Sequence, residues 1–239
     1  PDREVRKAAF KKYSEFYEKN EEKMEEIFDK LVKVRTKMGQ ALGYKTFTPL
    51  GYLQQGRSDY GQEEVASFRE QVLRELVPLC SKLYEAQAKR IGVDRLMAYD
   101  EKFIFPDGNA EPIGDEDYMV KEAQKMYHDL SPETGEFIDF MIDHELMDLT
   151  NKPGKANTGY MTDLPKYLAP FVFSCFNHTI FDMQVLSHEL GHAFAGYRAM
   201  RHQPISSYYS ESTDIAEIHS MSMEQFCYPY AERFFGDAA

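Results

Sequence analysis

SHELGHAF, residues 187–194, places two histidines four positions apart with a glutamate directly after the first. The apolar residues Met183, Leu186, Leu190 and Phe194 around it recur at helical spacing, which predicts a helix over 182–199, with Gly196 leaving its end open. Residues four apart on a helix differ by about 40° of rotation and lie one turn apart, so His188 and His192 can aim two imidazoles at one point. Glu189 lies about 100° round from His188, near enough for its carboxylate to reach a water on a cation held there. A catalytic zinc needs one more protein ligand and an open position for that water.

One zinc-helix pattern sets a glycine three residues and a histidine six residues past the second histidine. Ala195 and Arg198 occupy those positions and exclude it. The other common solution is a glutamate from a following helix. DIAEIHSMSME, residues 214–224, offers Glu217 near the start of a helix predicted from about Asp214 toward Phe235, after a loop with Pro204. On that helix Glu217, Ser220, Met221 and Glu224 share a face, which makes Ser220 and Glu224 candidates for hydrogen bonds that orient the ligands. Glu217 also fits the third helical position of a capping box on Asp214. His219 points to a different face, and His128, His144 and His202 have no partner at ligand spacing, so each reads as a packing or surface histidine. DHELMDL, residues 143–149, is a near copy with Asp148 in place of the second histidine, and it reads as surface helix. Met221 and Met223 read as core.

The rest of the 239 residues predicts a mainly α fold: zincin-like helices, a small β-sheet edge strand, and long amphipathic helices in the N-terminal half. An amphipathic pattern runs from Glu21 to Leu42 and stops at Gly43. A second runs over about 62–91 behind Ser58 and Asp59, with Pro78 expected to kink or end it and Gly92 to close it. Further helices are predicted at about 116–129 and from Ser131-Pro132 to about Leu149, and 151–159 is loop by composition. APFVFSCF, 169–176, predicts a strand, which Pro170 restricts to a strand start or a sheet edge. The expected organisation is a helical segment over 1–95, a connecting helical and loop segment over 96–158, and a zinc-binding core over 159–239, all of one lobe.

Composition narrows the partners. A formal charge of −12 repels phosphate backbones and anionic lipid, so neither nucleic acid nor a membrane surface is expected. No apolar run is long enough to span a bilayer, and the first residues lack the basic, then apolar, then small-residue order of a signal peptide. Three widely spaced cysteines, Cys80, Cys175 and Cys227, make no disulfide framework, and a cytoplasmic location is expected. The chain opens at Pro1 inside a helical pattern, which suggests a piece of a longer protein.

HELGHAF followed by EIHSMSMEQF, and preceded by LPKYLAPFVFSCFN, resembles the oligoendopeptidase F branch of the thimet oligopeptidase family of zinc metallopeptidases. PDREVRKAAF, the helices to residue 92, and GYMTDLP are similar to the middle section of that family. The resemblance implies one zinc per chain on His188, His192 and Glu217, with Glu189 as general base. Ser220 and Glu224 match a serine and a glutamate that the family keeps after its third ligand. It also implies an endopeptidase that hydrolyses short unstructured oligopeptides, in a deep channel between helical lobes, by means of a metal-activated water. The family's N-terminal helical lobe, and a C-terminal segment bearing histidine and tyrosines, have no counterpart in this sequence. The alternative is a zinc- and peptide-binding module without turnover. The strand Phe171–Phe176 is a candidate edge for pairing with a peptide main chain. Where relatives commonly read Asn-Gly-Thr, this chain reads Asn177-His178-Thr179, and His178 is expected to be structural.

Overall fold

A computed structural model describes residues 2–210 and 212–238. The chain divides into two compact units, Pro1–Asn109 and Ala110–Ala239, and the architecture is mainly α with one small sheet.

The first unit is built on α1, Arg3–Ala41, capped by the Asp2 carboxylate, which accepts from the amides of Glu4 and Val5. Nothing between Arg3 and Gly39 breaks a helix, and ion pairs four residues apart, Lys30–Glu26 and Lys33–Asp29, support its surface. The helix therefore reaches well upstream of Glu21, and it ends before Gly43, which takes a left-handed φ of 86°. A short helix α2, Thr48–Gln54, follows with Pro49 in its first turn. Helix α3, Gln62–Gln71, is capped at Gly61, not at Ser58 or Asp59, by the Glu64 carboxylate, which accepts from the Gly61 amide at 2.8 Å. Pro78 does not end the next stretch, but the regular α ladder is interrupted just before it. A π-helical turn, Val72–Leu76, joins α3 directly to α4, Val77–Arg90, which places the proline in a first turn, where its missing N–H is tolerated.

Asp100 closes this unit. Its fully buried carboxylate accepts from Arg3 Nη2 at 2.8 Å, from Arg6 Nη2 at 2.9 Å and from the Met97 amide at 3.1 Å. Gln87 on α4 donates to the carbonyls of Asp100, Glu101 and Phe103, so one polar knot joins the loop to both long helices.

The second unit starts with α5, Glu116–Leu130, and α6, Pro132–Asp143, each capped as its sequence predicts, by Asp115 and Ser131. Strands β1, Met147–Asp148, β2, Tyr160–Leu164, and β3, Ala169–Phe173, form a sheet in the order β1-β3-β2. Helices α7, Ile180–His202, α8, Thr213–Cys227, and α9, Glu232–Phe235, complete the unit. Pro229 sits in a 3-10 turn, Tyr228–Tyr230, and separates α8 from α9, so the predicted single helix to Phe235 is two. The core gathers Met119, Tyr127, Phe137, Ile138, Met141, Val172, Leu190 and Phe234, each almost fully buried.

DHELMDL is not helix: α6 stops at Asp143, Glu145 takes φ 52°, and Met147–Asp148 pairs in parallel with Val172–Phe173. β3 is not an edge: it is the central strand, with β1 on one side and β2 on the other. Amides 172, 174 and 176 donate to the carbonyls of Leu146, Asp148 and Leu149. The two-residue alternation then aims the missing amide of Pro170 toward the β1 side, upstream of β1, where no ladder bond is due. Met223 is buried as expected, whereas Met221 is 58% exposed. Among the described residues no helix is long and apolar enough to cross a membrane, and all three cysteines are free.

Candidate metal centre

The site is built on α7 and α8, the most closely packed pair of helices in the second unit. The start of α7 is fixed by Asp182, whose buried carboxylate accepts from the amides of Asn177 at 3.0 Å, His178 at 2.7 Å and Thr179 at 3.2 Å. Wrapping three amides round one carboxylate bends the chain sharply and puts His178 at φ 60°. That is the left-handed region that favours glycine, so His178 holds it as a non-glycine residue.

Gly191 and Gly196 do not end α7. A Cβ on Gly191 would lie 2.8 Å from Ser220 Cα and 3.0 Å from Met223 Cβ, so the glycine lets α8 lie against α7. A Cβ on Gly196 would lie 2.5 Å from Asp163 Oδ1, so β2 uses the second glycine the same way.

This close approach brings three donors together. His188 Nε2 lies 3.2 Å from His192 Nε2 and 3.3 Å from Glu217 Oε2, and His192 Nε2 lies 3.7 Å from the same oxygen. Zinc bonds of about 2.0–2.1 Å in a tetrahedron require ligand atoms about 3.3 Å apart. The three separations fit that requirement, and no other such cluster occurs among the described residues. The cap reading of Glu217 does not fit, because α8 is capped at Ser212 and the Glu217 carboxylate turns to the histidines.

The surrounding hydrogen bonds set the histidine and carboxylate geometry. Glu224 Oε1 lies 2.6 Å from His188 Nδ1. A carboxylate can only accept, so Nδ1 carries the hydrogen and Nε2 keeps its lone pair facing the cluster. Ser220 Oγ donates to Glu217 Oε2 at 3.0 Å. Glu189 is buried beside the cluster, and its carboxyl is pushed above the usual range, chiefly by burial. The nearby His188 opposes that rise and the Glu217 carboxylate reinforces it. Gly159, just before β2, packs against Glu189: a Cβ there would lie 3.2 Å from Oε1.

The remaining histidines stay outside this group. His128 Nε2 pairs with Asp139 at 2.9 Å, His144 Nδ1 lies 3.0 Å from the Phe140 carbonyl, and His202 is exposed at the end of α7. His219 is absent from the ligand cluster. Three residues that the sequence reading passed over shape the site: Gln184, which donates to Glu224 Oε2 at 2.9 Å, and the glycines 159 and 191. Gln184 sits four residues before His188, so the stripe Gln184, His188, His192 was the available signal.

Two helices thus bring a His-His-Glu group that could hold a metal ion beside a buried glutamate, next to a small sheet. The chain belongs to peptidase family M3, whose model matches residues 1–235. It is similar to the solved structure of PZ peptidase A with an inhibitor, with 51% identity and a TM-score of 0.95 over 100% of this chain and 42% of that one. A Bacillus anthracis structure named for oligoendopeptidase F matches with 47% identity and a TM-score of 0.93, over 99% of this chain and 43% of that one. A Chlamydophila abortus structure at 19% identity and a TM-score of 0.64 shares the fold. Among curated proteins no match was found. The chain spans 42% of the length of the first of these solved relatives.

Proposed function

We propose that this chain carries the zinc centre and general base of an endopeptidase that hydrolyses short, unstructured oligopeptides. The observation that carries the proposal is the convergence of His188, His192 and Glu217 donors at tetrahedral spacing beside Glu189. When bound there, zinc supplies a Lewis acid that makes a water acidic near neutral pH and polarises a carbonyl oxygen.

The chain's own residues do the rest. Glu189 takes the proton from the attacking water and passes it to the leaving amine. Burial raises the Glu189 carboxyl above its usual range, which makes its carboxylate a stronger base toward the attacking water. Glu224 and Ser220 hold His188 and Glu217 in line.

The peptide main chain has a place to pair, at β2 instead of the expected Phe171–Phe176. Amides 172 and 174 point toward β1, so 171 and 173 face β2 and bond with Thr162 and Tyr160. By the same alternation, Met161 and Asp163 turn their backbone groups to the outer edge, just downstream of Gly159 at Glu189. Pairing through the main chain selects extended peptides with little regard to side chains. Three free cysteines suit a reducing cytoplasm.

A second reading is that this chain by itself, which spans 42% of a solved relative, binds zinc and peptide without turnover. Metal analysis and a quenched-fluorescence peptide assay separate the two. We expect one zinc per chain, and Glu189→Gln to slow cleavage by about 10²–10⁴-fold. Zinc uptake with no cleavage by the parent supports the module, and equal rates for parent and variant rule out Glu189 as the base.

A further inference from the structure

Glu224 is the hinge of a hydrogen-bonded path that crosses from α7 to α8 and back. It is 9% exposed, and both of its oxygens are engaged: Oε1 with His188 Nδ1 at 2.6 Å, and Oε2 with Gln184 Nε2 at 2.9 Å. A carboxylate held by one oxygen can still rotate about its last bond, whereas one held by both has a fixed plane. That plane sets the direction of the His188 Nδ1–H, and so where Nε2 points among its partners at 3.2 and 3.3 Å.

We propose that Gln184 is a positioning residue for the metal centre, fixing Glu224 and through it His188. The proposal rests on reading His188, His192 and Glu217 as zinc ligands. The residue type fits the role. A neutral amide donates a hydrogen bond without neutralising Glu224, so the full carboxylate charge remains on the imidazole side. An apolar residue would leave that carboxylate oxygen to solvent from the exposed Gln184 side, which satisfies it without fixing its plane, and a cation would compete with His188 for the same charge. Gln184 itself is exposed, so replacing it opens no cavity in the core.

The test uses this chain with Gln184→Met, which keeps length and loses the donor, and with Gln225→Met as the control, an exposed glutamine on α8. Zinc affinity is measured by competition with a chelator, ligand geometry by visible absorption of the cobalt-loaded chain, and structural cost by melting of the metal-free chain. We expect Gln184→Met to bind zinc about 10-fold more weakly or worse, within the usual 10–100-fold for ligand-orienting partners. The cobalt spectrum should shift, metal-free melting should stay at the parent value, and Gln225→Met should match the parent throughout. Unchanged affinity and spectrum in Gln184→Met would overturn the positioning role. So would an affinity loss accompanied by lower metal-free melting, which would make the residue merely structural. If the parent chain takes up no zinc, the zinc reading falls and the positioning role falls with it. If the parent takes up zinc and Gln184→Met matches it, only the role of Gln184 falls.

Discussion

Gly191 is the residue on which the spacing of the donors depends. The atoms that a Cβ would meet there, Ser220 Cα and the His219 carbonyl at 3.1 Å, are backbone and cannot swing aside. Gly191→Ala should therefore push α8 off α7, with about 2 kcal/mol of unfolding free energy lost in denaturant titration and zinc affinity weakened at least tenfold. Retained affinity would show that the helices can separate without moving Glu217. His178 presents the opposite case. A non-glycine residue at φ 60° carries a strain of about 1–2 kcal/mol, so His178→Gly should raise thermal stability. A fall in melting temperature would mean that the imidazole makes compensating contacts. The shared face of His188 and His192 could be read from HELGH because helical spacing is local, whereas the approach of Glu217 comes from a second helix. The work of Gly191 and Gln184 could not, since each acts through a partner on α8.

At the level of elements, the helices were legible and the sheet was not. Caps at Asp115 and Ser131 and the stop at Gly43 follow from neighbours in the sequence. β1 is two residues long and exists because β3 pairs with it from more than twenty positions away, a contact that no local periodicity encodes. The same blindness assigned the edge to the apolar strand β3 instead of the more polar β2. A pair of prolines tests the corrected edge. Thr162→Pro removes a ladder amide that faces β3 and should destabilise the chain, whereas Met161→Pro removes an outward amide and should cost less stability but raise KM for peptides. Equal destabilisation by both would reverse the assigned facing of β2.

At the scale of the whole molecule, the two units are held by different means. The second has an apolar core, and the first relies on the Asp100 knot. The hydrogen bond from Arg3, helped by Arg6 and the Met97 amide against the cost of burial, lowers the Asp100 carboxyl from 3.8 to about 2. A depressed pKa means that the stabilisation is complete above 3.8 and is lost as pH falls through about 2. The denaturant midpoint should fall across that window, and Asp100→Asn should flatten the pH dependence while lowering stability at neutral pH; an unchanged profile would discount the knot. Burial lifts the Cys227 thiol to about 12, so thiol reagents should label Cys80 in the folded chain and reach Cys227 only after unfolding. Rapid native labelling of Cys227 would contradict the packed core around it. Along α1, Ile27, Phe28 and Val34 are exposed, so an amphipathic pattern predicted the helix without saying what its apolar face meets. The sequence by itself determined the starts of α5 and α6 with their caps, the stop at Gly43 and the shared face of His188 and His192, because those depend on neighbours within about one or two turns. Only the tertiary structure decided the central place of β3, the open edge at β2, the depth at which Glu189 lies and the hold of Gln184 on Glu224. Each of these depends on which distant segments pack together, and that is settled by packing across the whole unit.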